Sequence, residues 1–109
     1  MLIAPRQASG WRVSADALDA WLVGRWPEIK RGRGTSRQRA NVWEWPDRYE
    51  VWVPGDENCV WIAADWARVS AVAAWLGTGS DDLILCDEGY SFVVELRSTS
   101  EEQLQALEP

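Results

Sequence analysis

The chain has 109 residues and a net charge of −6, from 17 acids against 11 bases, with two cysteines and no histidine. This length suffices for one domain with its own core, and a content of 47% hydrophobic and 26% charged residues excludes a chain disordered throughout. The negative balance works against nucleic acid and anionic membranes and favours a basic partner, and no apolar stretch approaches the ~20 residues of a membrane-spanning helix.

The N-terminal Met1-Leu2-Ile3-Ala4-Pro5-Arg6 is too quickly interrupted for a signal peptide, so a cytoplasmic location is expected. A first helix is marked by Ser14 as its cap, Asp16 in its first turn and Pro27 as its stop, with Leu18, Trp21 and Leu22 as the inward stripe. Residues 30–39 follow, with five bases, two glycines and no hydrophobic side chain, which predicts a mobile loop. The remaining six bases face all 17 acids, a balance of −11, so charge is segregated along the chain.

Strand signals occupy the middle of the chain. Asn41 to Trp45 and Tyr49 to Val53, around Pro46-Asp47, predict a hairpin, and 54–58 a turn. Cys59 to Ile62 is apolar throughout, as in a central or covered strand. Asp65 caps a second helix running to Leu76, with Val69, Val72, Ala73 and Leu76 as its stripe and Gly77 as its stop. Leu83 to Cys86 and Tyr90 to Leu96 predict a second hairpin, and Ser100 with Gln103 a capping box opening a short helix. The order α-β-β-β-α-β-β-α, with short turns, implies a single α+β domain over 1–109. Its mainly antiparallel sheet of about five strands carries two main helices and a short terminal one on one face, leaving the other face partly open.

Chemistry-bearing constellations are sparse. Without histidine, Cys–His pairs and Ser–His–Asp triads are excluded, and Gly32-Arg33-Gly34 lacks the strand and helix of a phosphate loop. No Cys-x-x-Cys pair exists, so Cys59 and Cys86 are expected as buried thiols and neither metal nor cofactor is expected. Asp81, Asp82, Asp87 and Glu88 offer carboxylate pairs, but adjacent acids in turns are usually solvated surface. The reading is a non-enzyme.

Nine tryptophans are the unusual feature. Trp21 and Trp61 are expected in the core, and nine rings are hard to bury completely, so some should be half-exposed. Strand alternation turns Tyr49, Val51 and Val53 inward and Glu50 and Trp52 outward. It likewise turns Tyr90, Phe92, Val94 and Leu96 inward and Val93 and Glu95 outward; with Trp43 and Trp45 inward, Glu44 joins the outer set. Trp52 is then either an exposed anchor among acids or covered by stacking arginines of the basic segment. The candidate partner-binding set is Glu44, Glu50, Trp52, Asp56, Glu57, Asp87, Glu88 and Glu95.

The segment Leu85-Cys86-Asp87-Glu88-Gly89-Tyr90-Ser91, followed by an alternating strand and a Ser/Thr-capped helix, resembles a C-terminal pattern of small acidic bacterial immunity proteins, which neutralise toxins delivered between cells. The start, Trp11-Arg12-Val13-Ser14 through Arg25-Trp26-Pro27, is similar. The resemblance implies a cytosolic inhibitor whose surface acids occupy a cognate toxin's basic active site or substrate groove, with no catalytic residue of its own. Two alternatives stand beside it: a nucleic-acid-binding module using Lys30, Arg31, Arg33, Arg37 and Arg39 with tryptophans as stacking platforms, and a small adaptor subunit.

Overall fold

The computed structural model describes residues 1–7, 10–34 and 36–109, apart from the side chain of Arg33. Its elements are β1 (Leu2–Pro5), α1 (Ala15–Arg25), β2 (Lys30–Arg33), β3 (Asn41–Glu44), β4 (Glu50–Val53), β5 (Val60–Ala63), α2 (Trp66–Gly77), β6 (Leu83–Cys86), β7 (Val93–Glu95) and α3 (Glu101–Gln105). The fold is α+β, with a seven-stranded sheet of order β2-β3-β4-β5-β1-β6-β7 in which every neighbouring pair is antiparallel.

Two strands go beyond the expected five. β1 inserts between β5 and β6, with Ile3 opposite Val60 on one side and Leu85 on the other. Pro5 is tolerated because β1 pairs with β5 only at Leu2 and Ile3; at Pro5 the ladder continues on the β6 side alone. β2 corrects the mobile-loop expectation over 30–33, while residues 34 and 36–39 lie outside strands and helices; Thr35 and the Arg33 side chain lie outside the described residues. An edge strand can dispense with apolar side chains, and charge there discourages edge-to-edge pairing. The β2–β3 connection folds tightly onto itself: Gly34 N–H donates to Ala40 O at 3.2 Å, and a Cβ at Gly34 would lie 0.9 Å from Arg39 O.

The helix starts follow their caps. Ser14 accepts from Ala17 N, Asp65 from Arg68 N, and Ser100 and Gln103 form the reciprocal capping box. Gly77 does not stop α2 as expected. It is the last helical residue, Thr78 caps it, and a Cβ at position 77 would press Leu96 at 3.1 Å. The glycine is there for close approach to Leu96.

The inward residues of the sheet (Ile3, Trp43, Val51, Val53, Val60, Ile62, Leu83 and Leu85) share one core with Leu18 and Leu22 of α1, Val69, Val72 and Leu76 of α2, and Leu104 of α3. All three helices therefore lie on one side of the sheet. Polar groups fasten them there. Trp43 Nε1 donates to Asp19 of α1 at 2.9 Å, Trp66 Nε1 donates to Leu104 O at 2.9 Å, and Glu57 Oε2 accepts from Ala15 N at 3.1 Å at the start of α1. A chain of indoles also crosses the helix layer. Trp75 stacks on Trp21 (5.0 Å), Trp21 meets Trp26 edge-on (5.7 Å), and Trp26 meets Trp45 edge-on (5.3 Å).

Two side chains depart from strand alternation. Tyr49 and Tyr90, expected inward, are 42% and 66% exposed; neither lies within a strand, Tyr49 standing just after the 46–48 turn and Tyr90 in the 87–92 turn. Asp87 accepts from the Ser91 hydroxyl and from Phe92 N (3.2 Å), which keeps residues 87–92 in a turn with Tyr90 at φ 55°, so β7 begins only at Val93.

Arg25 of α1 makes a two-pronged ion pair with Glu101 of α3, at 2.9 and 2.8 Å. The Arg25 hydrogen bond holds the Glu101 carboxyl below its usual range. A depressed carboxylate stabilises the fold above its unfolded pKa, about 4.3, and that contribution disappears as pH falls through the folded value. Glu101→Gln should therefore cost about 0.5–1 kcal/mol at pH 7, small because both groups see water, and urea titrations should show the two proteins converging below about pH 4. Ile3→Ala, at a fully buried β1 position, should cost about 2–5 kcal/mol by the same measurement.

Candidate binding surface

Alternation along the strands places a second set of side chains on the face that no helix covers. One row of paired residues runs Val42, Trp52, Trp61, Leu2, Cys86, Val93 from β3 to β7. A second row runs Lys30, Glu44, Glu50, Ala63 across β2 to β5. Val42, Trp52, Trp61 and Leu2 are half-buried, Val93 is 47% exposed and Cys86, in the same row, is buried, whereas the helix-side Trp43 and Trp45 are 0% exposed. The face is thus an apolar band with charge along one end.

Its centre is an aromatic pair. Trp52 and Trp61 stand directly opposite on β4 and β5, nearly parallel at 8°, with ring centroids 6.1 Å apart. Arg39 lies over Trp52, its Cζ 4.4 Å from the ring, and bonds Glu50 Oε1 at 2.8 Å. Glu44 faces Glu50 across the strand pair, a like-charge contact relieved by Lys30 on the far side of Glu44 and by Arg39 on Glu50. An open groove of about 410 Å³ on this corner is lined by Lys30, Gly32, Gly34, Arg39, Val42, Glu44 and Glu50.

The expected outer set Glu44, Glu50, Trp52, Val93 and Glu95 lies on this face. Both readings of Trp52 hold in part, since Arg39 covers one side of a ring that is still half-exposed. Trp61 is a correction. It was expected in the core because its strand is apolar throughout, but β5 is central in the sheet without being covered on both faces. The fully buried indoles are instead Trp43 and Trp45, while Trp21 is half-buried in the helix layer.

The eight candidate acids and aromatic do not form one surface. Asp56 and Glu57 occupy the β4–β5 turn, at the opposite end of the strands from Glu44 and Glu50. Glu57 turns inward to α1, and Asp56 accepts from Asn58. Asp87 is spent on its own turn, Glu88 is exposed beside it, and Glu95 is paired with Arg6 at the β7 edge. Glu44, Glu50 and Trp52 alone come together. Among the bases, Arg31 reaches to the helix side, pairing with Asp16 at 3.2 Å and lying over Trp43 (5.3 Å); Lys30 lines the groove and Arg37 is exposed.

Asp81-Asp82 and Asp87-Glu88 flank opposite ends of β6, so they cannot share an ion. Among the described residues no group of three or more His, Cys, Asp or Glu side chains is placed to hold a metal. Cys86 is buried and Cys59 half-buried, both are free, and β1 lies between β6, which holds Cys86, and β5, which Cys59 immediately precedes. Burial, aided by Asp56 and Asp87 respectively, pushes both thiols up, which keeps them protonated at neutral pH. No helix among the described residues is long and apolar enough to cross a membrane. No family model, curated protein or solved structure matches the chain.

The two kinds of tryptophan should separate on truncation. Trp43→Ala, which empties a fully buried site and frees Asp19, should cost about 3–5 kcal/mol. Trp52→Ala should cost less than half as much in the same denaturant titrations, because its ring faces the open side.

Proposed function

We propose that the protein is a non-catalytic binding domain acting through the open face of its sheet, and that it serves in the cytoplasm as an immunity protein occupying the basic active site or substrate groove of a cognate bacterial toxin. The observation that carries the reading is the stacked Trp52–Trp61 pair beside Glu44 and Glu50 on an uncovered face. Half-exposed indoles are costly to leave in water and are the commonest anchors of protein interfaces. The carboxylates at their border, on a chain of net charge −6, supply complementarity to a basic surface and speed association with it. The resemblance of the 85–91 and 11–27 segments to immunity proteins gives the class of partner.

A nucleic-acid role for residues 30–39 has less support. Arg31 and Arg39 are already paired with Asp16 and Glu50, and Lys30 stands opposite Glu44. Phosphates would meet these carboxylates at the same corner.

Affinity capture from the native host, followed by co-expression with the captured toxin, tests the proposal. The expected result is a toxin-type partner, protection of the cell, and a loss of about 30-fold or more in affinity for the Trp52→Ala/Trp61→Ala double variant, as for hot-spot anchors. Absence of both capture and protection, or full binding by the double variant, would contradict it.

A further inference from the structure

We propose that Glu50 and Trp52 form a guanidinium-binding subsite, and that Arg39 occupies it as a stand-in for an arginine of the basic partner. This rests on the open-face reading above and names the chemistry by which that face recognises its partner.

The subsite holds the two groups that arginine recognition uses together, a carboxylate at hydrogen-bonding distance and a fixed aromatic face. Arg39 engages both at once, at 2.8 Å from Glu50 and 4.4 Å above Trp52. Trp61 stands nearly parallel to Trp52, with ring centroids 6.1 Å apart. Among the described residues four arginines lie over tryptophans, but the other three join elements of the fold. Arg25 over Trp26 ties α1 to Glu101, Arg31 over Trp43 is held by Asp16, and Arg68 over Trp45 is held by Asp47. Arg39 alone among them lies on the open face.

Arg39 is also built to leave. The backbone around it is secured by bonds that do not involve its side chain: Gly34 N–H to Ala40 O at 3.2 Å, and Gly55 N–H to Arg37 O at 2.7 Å. Rotation of the side chain therefore vacates the subsite without unmaking the connection. The Arg39 and Glu50 side chains are 36% and 25% exposed, so an incoming group can reach them from the groove. Departure of Arg39 leaves Glu50 facing Glu44 with one less cation nearby, which favours replacement by another cation over an empty site. A planar guanidinium satisfies the ring and the carboxylate together, whereas an ammonium matches only the charge.

The test is a titration of the ¹⁵N-labelled protein with nona-arginine and with nona-lysine, read on the indole resonances. Arg39→Ala should bind nona-arginine about tenfold more tightly than the unaltered protein, the scale of one lost cation–π and ion-pair competitor, with shifts at Trp52 and Trp61. Arg37→Ala removes the same charge from the same connection without touching Trp52 and should show little gain. Nona-lysine should bind Arg39→Ala more weakly than nona-arginine does, and adding Trp52→Ala to Arg39→Ala should abolish the gain. Equal gains for Arg37→Ala and Arg39→Ala, equal binding of the two peptides, or unmoved Trp52 and Trp61 signals would overturn the subsite. Toxin binding that still depends on Trp52 and Trp61 would then show that the open-face reading survives without it.

Discussion

The sheet depends on the pairing of β1. Residues 30–63 form a meander, β2 to β5, and residues 83–95 form a hairpin, β6 and β7; neither touches the other in the sheet. Leu2 to Pro5 is laddered to both and makes them one surface. Because β5 and β6 flank the same strand, they run parallel to each other, and α2 supplies the long connection that this arrangement needs. With α1, α2 and α3 all gathered on the same side, one face of a seven-stranded sheet is sealed and the other is left to water. The binding surface follows from that imbalance: three short helices suffice for one face only.

Tryptophan serves both faces. On the helix side the indoles join layers, through the Trp75–Trp21–Trp26–Trp45 chain and the bonds of Trp43 and Trp66. Trp45 Nε1 has no partner among the described residues, which costs about 1–3 kcal/mol. Its fully buried ring, Trp26 against one side and Arg68 5.0 Å from its centre offset that cost. On the open side Trp52 and Trp61 pair with each other, and Arg39 lies over Trp52.

Much of this was readable from residues. The caps Ser14, Asp65 and Ser100, the 41–53 hairpin and the outward set at 44, 50, 52, 93 and 95 follow from local spacing, because caps and alternation act within a few residues. What escaped were features set at long range. β1 is a four-residue stretch ending in proline, and only its two partners make it a strand. β2 has no apolar side chain, and its edge position is what makes that acceptable. Trp61 illustrates the same limit: an apolar run marks a central strand, but whether both faces are covered depends on where distant helices dock. Asp56 and Glu57 fall at the other end of β4 from Glu50, and Asp87 and Glu88 follow β6, which β5 and β1 separate from β4; both placements are set by the strand order and not by local spacing.

The most direct test of the one-sided sheet uses a soluble gadolinium chelate and the indole N–H signals of the free protein. Trp52 and Trp61 should be strongly attenuated, while Trp43 and Trp45, sealed beneath the helices, should be little affected. Equal protection of all four would mean that the second face is covered and would remove the basis for a binding surface there.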